Sequence, residues 1–307
     1  MAGSFQNKPL KKASFADRAL KRQPSENPVI EVNNLLAQAE RLMDVSPEGV
    51  DHIGEKYEVD VRKKRRKGLT GLHKEHMSFC LERGVADEEI AELSHLEALF
   101  DLDEKAVKKA RKECADGYLE SIMADERITP EESERLDLAM SNLGMTIPKE
   151  MQSRFLRYQA YWEIENLDLP EIEAPVNLQR NEVCHFIHRA DWLEHRAVTS
   201  RVSYSGPTAR VKLAKGVYWR VGSVGVKSTS EETLKKIDSG VTYLTNKRLI
   251  FVGGHKTTSI QLSRILDFTP YQNGVEIQKD KGRNPFLVLE DADIFAMILA
   301  RAIGSLN

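Results

Sequence analysis

The sequence contains little cysteine and no long apolar run, and both shortages narrow the classes of protein that fit it. Its three cysteines, Cys80, Cys114 and Cys184, are far apart and odd in number, which favours free thiols in a reducing compartment over disulfide bonds. No stretch approaches the roughly 18 consecutive apolar residues of a membrane-spanning helix. The basic N-terminus is not followed by an apolar segment, so we expect no secretory signal there. We therefore predict a cytoplasmic protein.

Sequence signatures of catalysis are missing as well. Gly222 and Gly225 lie in a strand-like run with no helix and lysine after them, so they do not make a phosphate-binding loop. Cys184 lies in no recognisable signature of a nucleophile, and no acid, base and nucleophile occur in a pattern that indicates a reaction. The sequence therefore predicts a protein that is not an enzyme and that has no cofactor.

Neither sign of charge dominates the chain. Its 307 residues include 45 lysines and arginines against 47 acids, and the formal net charge of −2 indicates no particular partner. The length exceeds one ordinary hydrophobic core and suits two domains with connecting segments. Residues 1–28 are rich in lysine and arginine, poor in apolar residues and interrupted by Pro9, Pro24 and Pro28. We predict a disordered basic tail there, because such a segment buries too little surface to offset its ordering entropy.

Residues 29–166 have the pattern of a helical domain. Apolar residues recur every three or four positions, for example around Leu93 and Leu136, and acids such as Glu131 and Glu132 mark helix starts. The domain also contains an internal repeat at an offset of 43 residues, in which Val85–Glu89 matches Ile128–Glu132. Two similar helix-turn units that share a core favour a compact all-α domain over a solenoid.

The pattern changes after residue 166. Residues 167–175 are acidic and contain Pro170 and Pro175, which indicates a linker. Over residues 176–307 the apolar period falls to two and predicts strands. The predicted strands are Val198–Tyr204, Val217–Val226, Gly240–Leu244, Leu249–Val252, Thr257–Leu262, Ile265–Thr269, Val275–Gln278 and Phe286–Leu289. Turns are expected at Thr245–Arg248 and at Tyr271–Gly274, where Asn273-Gly274 is the strongest signal.

The chain ends in an amphipathic helix over Asp291–Ile303. Its apolar stripe includes Ile294, Phe295, Ile298 and Leu299, which we expect to be buried against the strands. The predicted fold class is therefore α+β with two domains: an all-α domain, then a half-open β-barrel capped by the C-terminal helix.

Residues 241–268 resemble the core of bacterial PH-like and GRAM-like domains. The resemblance rests on the run Thr-Asn-Lys-Arg-Leu-Ile-Phe at 245–251 and on the later step Arg264-Ile265. It covers the chain from Val176 onward and implies a PH-like split β-barrel. The resemblance also implies two classes of partner, because PH-like domains bind phosphoinositides through basic loops whereas many bacterial ones bind proteins or self-assemble.

Residues 124–145 are similar to the tellurite-resistance TerB-like helical family. The similarity rests on Asp125, on Ile-Thr-Pro-Glu-Glu at 128–132 and on Leu143-Gly144. It implies a helical fold and a stress-response context. Glu126 stands where that family has glycine, which argues against shared metal chemistry.

Histidines cluster at two places in the sequence, and each cluster raises the hypothesis of a metal site. Cys184, His185, His188, Asp191 and His195 fall within twelve residues and are types that bind zinc. No second pair of ligands follows, and neighbouring strand residues point to opposite faces, so we expect histidines without metal there. His73 and His76 share one helix face, with His95 nearby, and lack a third donor. No metal site is predicted.

Six consecutive bases, Arg62, Lys63, Lys64, Arg65, Arg66 and Lys67, are the most extreme local feature. Such a tract binds nucleic acid or an anionic membrane surface when it is accessible. It can equally be a solvated or internally screened helix face, because residues 84–135 hold 16 acids and only 7 bases. In the β-rich domain, Lys247 and Arg248 at a strand turn are the corresponding anion-binding candidates, and the alternative is an ordinary exposed hairpin.

Two functions therefore stay open. The first is a non-enzymatic adaptor whose helical and PH-like modules each dock a protein partner. The second is a peripheral binder of lipid headgroups or nucleic acid through the Arg62–Lys67 tract and the basic turns. We expect the adaptor, since charge runs are usually solvated.

Overall fold

The structure is a computed structural model that describes residues 4–196, 209–214, 217–221 and 233–306. The predicted strand Val198–Tyr204, and the predicted strand Val217–Val226 beyond Val221, lie outside the described residues. The chain divides into two compact units, Met1–Gln159 and Ala160–Asn307. The boundary lies within a helix, whereas the sequence pattern placed it after residue 166.

The helical unit is all-α. Its helices are α1 Phe15–Ala19, α2 Asn27–Gln38, α3 Pro47–Lys56, α4 Val61–Lys64, α5 Arg66–Arg83, α6 Asp87–Leu99, α7 Glu104–Ile122, α8 Pro130–Asn142 and the first part of α9 Lys149–Asn166. No helix in the described part of the chain is both long enough and apolar enough to cross a membrane.

The 43-residue repeat corresponds to two helices of the same length, α6 and α8, with 13 residues each. Both start alike, because Glu89 accepts the Ala86 N–H and Glu132 accepts the Thr129 N–H. Both also end alike. The aligned residues Asp101 and Gly144 adopt positive φ angles of 53° and 62°.

Each of these helix ends is closed by the same backbone bond. The Leu102 N–H donates to the Glu97 carbonyl at 3.0 Å, and the Met145 N–H donates to the Met140 carbonyl at 2.8 Å. This is the six-to-one bond of a Schellman end, which satisfies carbonyls that have no partner inside the helix. The two repeats are therefore one helix-turn unit used twice.

The apolar residues of the helical unit form three clusters. The first joins α2, α3, α5 and α6 around Leu69, Leu96 and Phe100. The second joins α7, α8 and α9 around Leu119 and Leu136. The third links α5 to α6 and α8, and its members include Met77, Leu81, Leu93 and Ala139. Burial of these periodic positions is what makes the individual helices stable.

The N-terminal segment differs from the disordered tail that was expected over residues 1–28. Phe5 is 6% exposed and belongs to the first apolar cluster. The side chains of Asn27, Asn33 and Asn34 hydrogen-bond the backbone of residues 6–11. One aromatic anchor and a row of amide side chains thus order a segment whose composition alone resembles that of a disordered one.

The second unit is a nine-stranded sheet followed by one helix. Its strands are β1 Cys184–Arg196, β2 Ala209–Ala214, β3 Val217–Val221, β4 Thr233–Thr245, β5 Arg248–Gly253, β6 Thr257–Gln261, β7 Ile265–Tyr271, β8 Gly274–Lys279 and β9 Pro285–Val288, and the helix is α10 Ala292–Gly304. The strand order is β2-β3-β7-β8-β9-β1-β4-β5-β6. The strands β1 and β2 were not predicted, since charged residues and histidines interrupt the apolar alternation of β1.

All strand pairs are antiparallel except β3 with β7, which meet at a single parallel bridge between Arg220 and Tyr271. The predicted turns are present: Asn246 and Lys247 join β4 to β5, and Gln272 and Asn273 join β7 to β8. The α+β class is therefore confirmed, and the element order, strands followed by one C-terminal helix, is consistent with the PH-like domain that the resemblance implied. Barrel closure is not shown by the described residues, because the strand order has β2 and β6 as its two edges.

The helix α10 is buried on most of its surface. Phe295, Ile298 and Leu299 are each at most 3% exposed, and the Phe295 ring meets Phe186 of β1 edge-on with centroids 5.4 Å apart. Ile294, also expected to be buried, is only half-buried. The last turns of α9 also contact α10, because Tyr161 donates to Asp293 and Arg301 donates to the carbonyls of Ile164 and Leu167. Arg301 thereby caps the C-terminal end of α9.

The predicted linker of residues 167–175 is held against the sheet. Ile172 pairs with Cys184 in an antiparallel bridge, and His185 Nδ1 lies 2.8 Å from the Pro170 carbonyl. Ala174 at its end, and Val176 and Leu178 just beyond it, pack against an apolar cluster on β1, β4 and β5. Alternating apolar side chains let this proline-bounded segment cover one face of the sheet.

Candidate functional site

The basic tract Arg62–Lys67 is divided between two helices. Arg62 lies in α4 and is bound within the fold, because its Nε donates to the Leu99 carbonyl at 2.8 Å and Nη1 donates to the Asp51 carboxylate. Its Nη2 donates to the Pro47 carbonyl at 3.0 Å. The guanidinium thus ties α4 to the start of α3 and the end of α6, and it is not available to an external anion.

The other two arginines of the tract also point towards the fold. Arg66 Nη1 donates to Asp103 at 2.7 Å, and the Arg65 Nε is buried. Lys63, Lys64 and Lys67 are exposed, as Arg66 is, but among these lysines only Lys63 pairs with a described acid, Asp60 at 3.5 Å.

Both anion-binding candidates at the turn of the β domain, Lys247 and Arg248, are bound within the fold. Arg248 Nε donates to Glu182 at 2.8 Å, and the Glu182 side chain is 0% exposed. Although burial opposes its charge, the hydrogen bonds from Arg248, the Gln179 backbone and Thr245 hold the pKa of Glu182 below its ordinary value. Lys247 donates to the Arg180 carbonyl. Both side chains clasp residues 177–183 to the β4–β5 turn.

The histidines near β1 do not converge on one point. His185 lies by the Pro170 carbonyl, His188 is 3.6 Å from Asp291, and His195 is 3.3 Å from Glu276. Cys184 is buried, and desolvation raises the pKa of its thiol. In the part of the chain that the structure describes, no group of three or more histidines, cysteines and acids is placed to hold a metal ion.

His73 and His76 share the inner face of α5, as predicted, and meet acids on α6. His73 Nε2 lies 3.2 Å from Glu97, and His76 Nε2 lies 3.2 Å from Glu92. Desolvation, followed by the nearby His73, lowers the pKa of His76 to about 4. The hydrogen-bond neighbours of its ring are the Ser4 hydroxyl, 2.7 Å from Nδ1, and Cys80 Sγ, 3.5 Å from Nε2. His95, on α6, lies by the Val45 carbonyl instead.

A groove of 1180 Å³ lies on the β domain where β9 ends beside β1. β9 pairs with β1 only from Asp191 to Glu194, whereas β4 pairs with β1 along nearly its whole length. Among the described residues, β1 from Phe186 to Ala190 is therefore paired on one side only. The groove runs along this stretch.

Three half-buried apolar side chains form the floor of the groove: Ile187 of β1, Val241 of β4 and Val288 of β9. The register pairs Arg189 with Val241 and Asp191 with Val288, so all of these side chains share one face of the sheet. The opposite face carries Phe186 and contacts α10. The floor belongs to the same face of the sheet as the apolar cluster that Val176 and Leu178 cover. No described segment covers the floor itself.

Asp191 and Arg189 are charged residues beside the floor, and of the two only Asp191 is paired with an opposite charge among the described residues. Asp191 accepts from Lys236 at 2.7 Å and from Ser239 at 2.8 Å, and the Lys236 bond lowers the pKa of Asp191. Arg189 is exposed and forms no ion pair with a described acid. This groove was not predicted from the sequence, although Ile187, Arg189 and Asp191 alternate with buried residues in the pattern of a half-exposed strand.

Comparisons with known proteins are sparse. Neither a protein-family model nor a curated protein matches the chain. Among solved structures, the crystal structure of N-terminally truncated linker-DH/PH domains of p115-RhoGEF is similar over 92% of this chain and 84% of that chain, at 10% sequence identity and a TM-score of 0.24. A TM-score this low supports no statement about fold or function.

Proposed function

We propose that this protein is a non-enzymatic adaptor, and that the groove along β1, β4 and β9 docks an extended segment of a partner protein. The observation that carries the proposal is the one-sided pairing of β1 beside an apolar floor and an unpaired arginine. A partner strand that adds to β1 gains backbone hydrogen bonds, and its alternate side chains reach the floor.

The charges of the groove indicate the chemistry of the partner. Arg189 favours a carboxylate beside the apolar positions, since Asp191 is already neutralised by Lys236. The partner segment thus carries apolar and acidic residues two positions apart, so that both kinds lie on the strand face that meets the floor and Arg189. Arg62 and Arg66 of the basic tract bind acids and carbonyls of the helical unit, which favours the adaptor over the anion binder.

The test uses the full chain and two synthetic seven-residue peptides, Thr-Val-Thr-Glu-Thr-Val-Thr and Thr-Val-Thr-Lys-Thr-Val-Thr, which place valine and the charged residue on the same face of a strand. We expect the glutamate peptide to bind with at least tenfold higher affinity, measured by calorimetry, and to shift the methyl NMR signals of Ile187, Val241 and Val288. Arg189→Glu should reverse the preference between the two peptides, because it reverses the sign of the charge at the groove.

The matched controls are Val241→Asp in the groove and Leu266→Asp on β7, where Leu266 is 71% exposed and lies outside the groove. Only Val241→Asp should abolish binding. Equal loss in both variants, or no binding by either peptide at millimolar concentration, would contradict the proposal. Binding to anionic vesicles that Val241→Asp leaves intact would favour the anion binder instead.

A further inference from the structure

The segment from Ser4 to Lys11 lies along α2 in the opposite direction, in a manner that resembles a bound peptide. It contains neither helix nor strand, and residues 6–12 are exposed. Phe5 is its one buried side chain, stacked on His76 with ring centroids 5.8 Å apart. The segment is therefore held mainly by polar bonds to its backbone.

Asparagines of α2 supply these bonds in pairs. The Lys8 N–H donates to Asn34 Oδ1 at 2.7 Å, and Asn34 Nδ2 donates back to the Lys8 carbonyl at 2.8 Å. Asn27 repeats the arrangement on Lys11, at 2.8 Å and 3.1 Å. Asn33 Nδ2 donates to the Gln6 carbonyl at 2.7 Å. Each of these bonds is made to main-chain atoms of the segment. The same asparagines could therefore bind an extended chain of another sequence.

The spacing of these asparagines matches that of an extended peptide. Asn27 and Asn34 are seven residues apart, about 10.5 Å along an α-helix. Lys8 and Lys11 are three residues apart, about 9–10 Å in an extended chain. Lys8 and Lys11 therefore lie opposite Asn34 and Asn27. Pro9 between them fits because no bond needs its missing N–H.

The side chains of the same two residues, Lys8 and Lys11, also contact acids of the helical unit and make the binding selective. Lys8 Nζ lies 3.0 Å from Glu75, and Lys11 Nζ lies 2.9 Å from Glu26. Together with Phe5, the recognised pattern is an aromatic residue followed by lysines three and six positions later. Asn33, 1% exposed, keeps a buried Oδ1 with no donor among the described residues. The segment thus leaves one acceptor of the groove unsatisfied.

We propose that this face of α2 and α5 is a peptide-binding groove for an extended segment of the pattern aromatic-x-x-Lys-x-x-Lys, and that residues 4–11 occupy it in cis until such a segment of a partner protein displaces them. The site is separate from the groove on β1. A second copy of the chain is a poor competitor, because its identical segment must overcome the high effective concentration of the tethered one. A partner that also donates to Asn33 Oδ1 has an added contact.

The test labels a peptide of residues 2–13 and measures its fluorescence anisotropy with two full-length chains. In the unaltered chain, residues 4–11 occupy the groove. In the variant with Phe5→Ala, Lys8→Ala and Lys11→Ala, the contacts that hold this segment in the groove are weakened. We expect at least tenfold tighter peptide binding by the variant. Phe5→Ala in the peptide, or Asn34→Ala added to the variant, should each lower the affinity tenfold or more. Gln23→Ala, an exposed change outside the groove, should not.

A weakened variant that melts like the unaltered chain yet binds no peptide at 1 mM overturns the proposal. Should that variant not fold, amide hydrogen exchange on the unaltered chain decides. We expect Lys8 and Lys11 to exchange at least 100-fold faster than the amides of α5, by local release. Exchange of both only through global unfolding overturns the proposal, as does a concentration-dependent dimer that Phe5→Ala abolishes, since it assigns the groove to a second copy.

Discussion

Arg248 and Glu182 form a buried ion pair at 2.8 Å across 66 residues of sequence, with no part of the Glu182 side chain exposed. Thr245 also donates to this carboxylate, and Arg248 Nη2 donates to the Asn177 carbonyl at 3.0 Å. The pair fixes the segment before β1 onto the β4–β5 turn. An arginine at a strand turn, which from sequence suggested anion recognition, thus binds an acid of its own chain.

Removal of one partner of this pair should be costly. We expect Arg248→Met to lower the free energy of unfolding by about 3 kcal/mol, because it leaves the Glu182 carboxylate buried without its counterion. Urea denaturation measures the change. Lys247→Met, at the neighbouring turn position, is the matched control and should cost under about 1 kcal/mol. Similar losses for the two variants would contradict the structural role of Arg248.

The same pair should make stability depend on pH. The folded pKa of Glu182 lies below its ordinary value of 4.5, so the unfolded chain takes up a proton first as the pH falls. The stabilisation is complete above pH 4.5 and is lost as the pH falls through the folded pKa. Urea melts at pH 7 and pH 3 should therefore show a smaller acid loss for the double variant Glu182→Gln, Arg248→Met than for the unaltered chain. An equal loss would assign the acid sensitivity to other carboxylates.

Truncation of the closing helix should separate its buried residues from its half-buried ones. Phe295→Ala should cost about 3–5 kcal/mol, because Phe295 is 0% exposed and the cavity cannot fill with solvent. Ile294→Ala, one residue earlier and half-buried, should cost less than half as much. Thermal or urea melts report both values, and a cost below about 1 kcal/mol for Phe295→Ala would show that the helix is not part of the core of the β domain.

Two glycines of the helical unit should respond in opposite directions to alanine. Neither added Cβ meets an atom within 4 Å, but Gly144 has a φ of 62° and Gly117 lies inside α7. We expect Gly117→Ala to raise the free energy of unfolding by about 0.5–1 kcal/mol. Gly144→Ala should lower it by about 1 kcal/mol, because alanine is strained in the left-handed region. Changes of the same sign would contradict the helix end described for α8.

The basic tract can be tested without damage to the fold. Lys63, Lys64 and Lys67 are its exposed lysines, so changing all three to glutamate reverses accessible charge and leaves the bonds of Arg62 and Arg66 in place. Under the adaptor proposal, the unaltered chain elutes from heparin at low salt, and this triple variant elutes only slightly earlier. Tight, salt-sensitive retention that the variant loses would instead support an anion binder. Arg62→Glu is unsuitable as a probe, since it breaks the bonds to Asp51 and Leu99.

Local patterns in the sequence were sufficient for the secondary structure of much of the chain. The helical period around Leu93 and Leu136, the first-turn acids of α8 and the two-residue turn before Gly274 predicted elements that the structure contains. These signals are local because helix caps and turns depend on residues within about four positions of one another. The strand β1 was missed since its charged residues and histidines interrupt the alternation on which a strand prediction depends.

Contacts between distant residues decided the rest. Residues 4–11 have the composition of a disordered tail and are ordered by asparagines some 16 to 27 positions later. The role of Arg248 depends on Glu182, its distant ion-pair partner. The groove exists because β9 pairs with only part of β1. The sequence by itself determined the periods, caps and turns, because these interactions are local. Which charges are available to a partner was decided only by the tertiary structure, because an ion pair forms wherever folding brings an acid to a base.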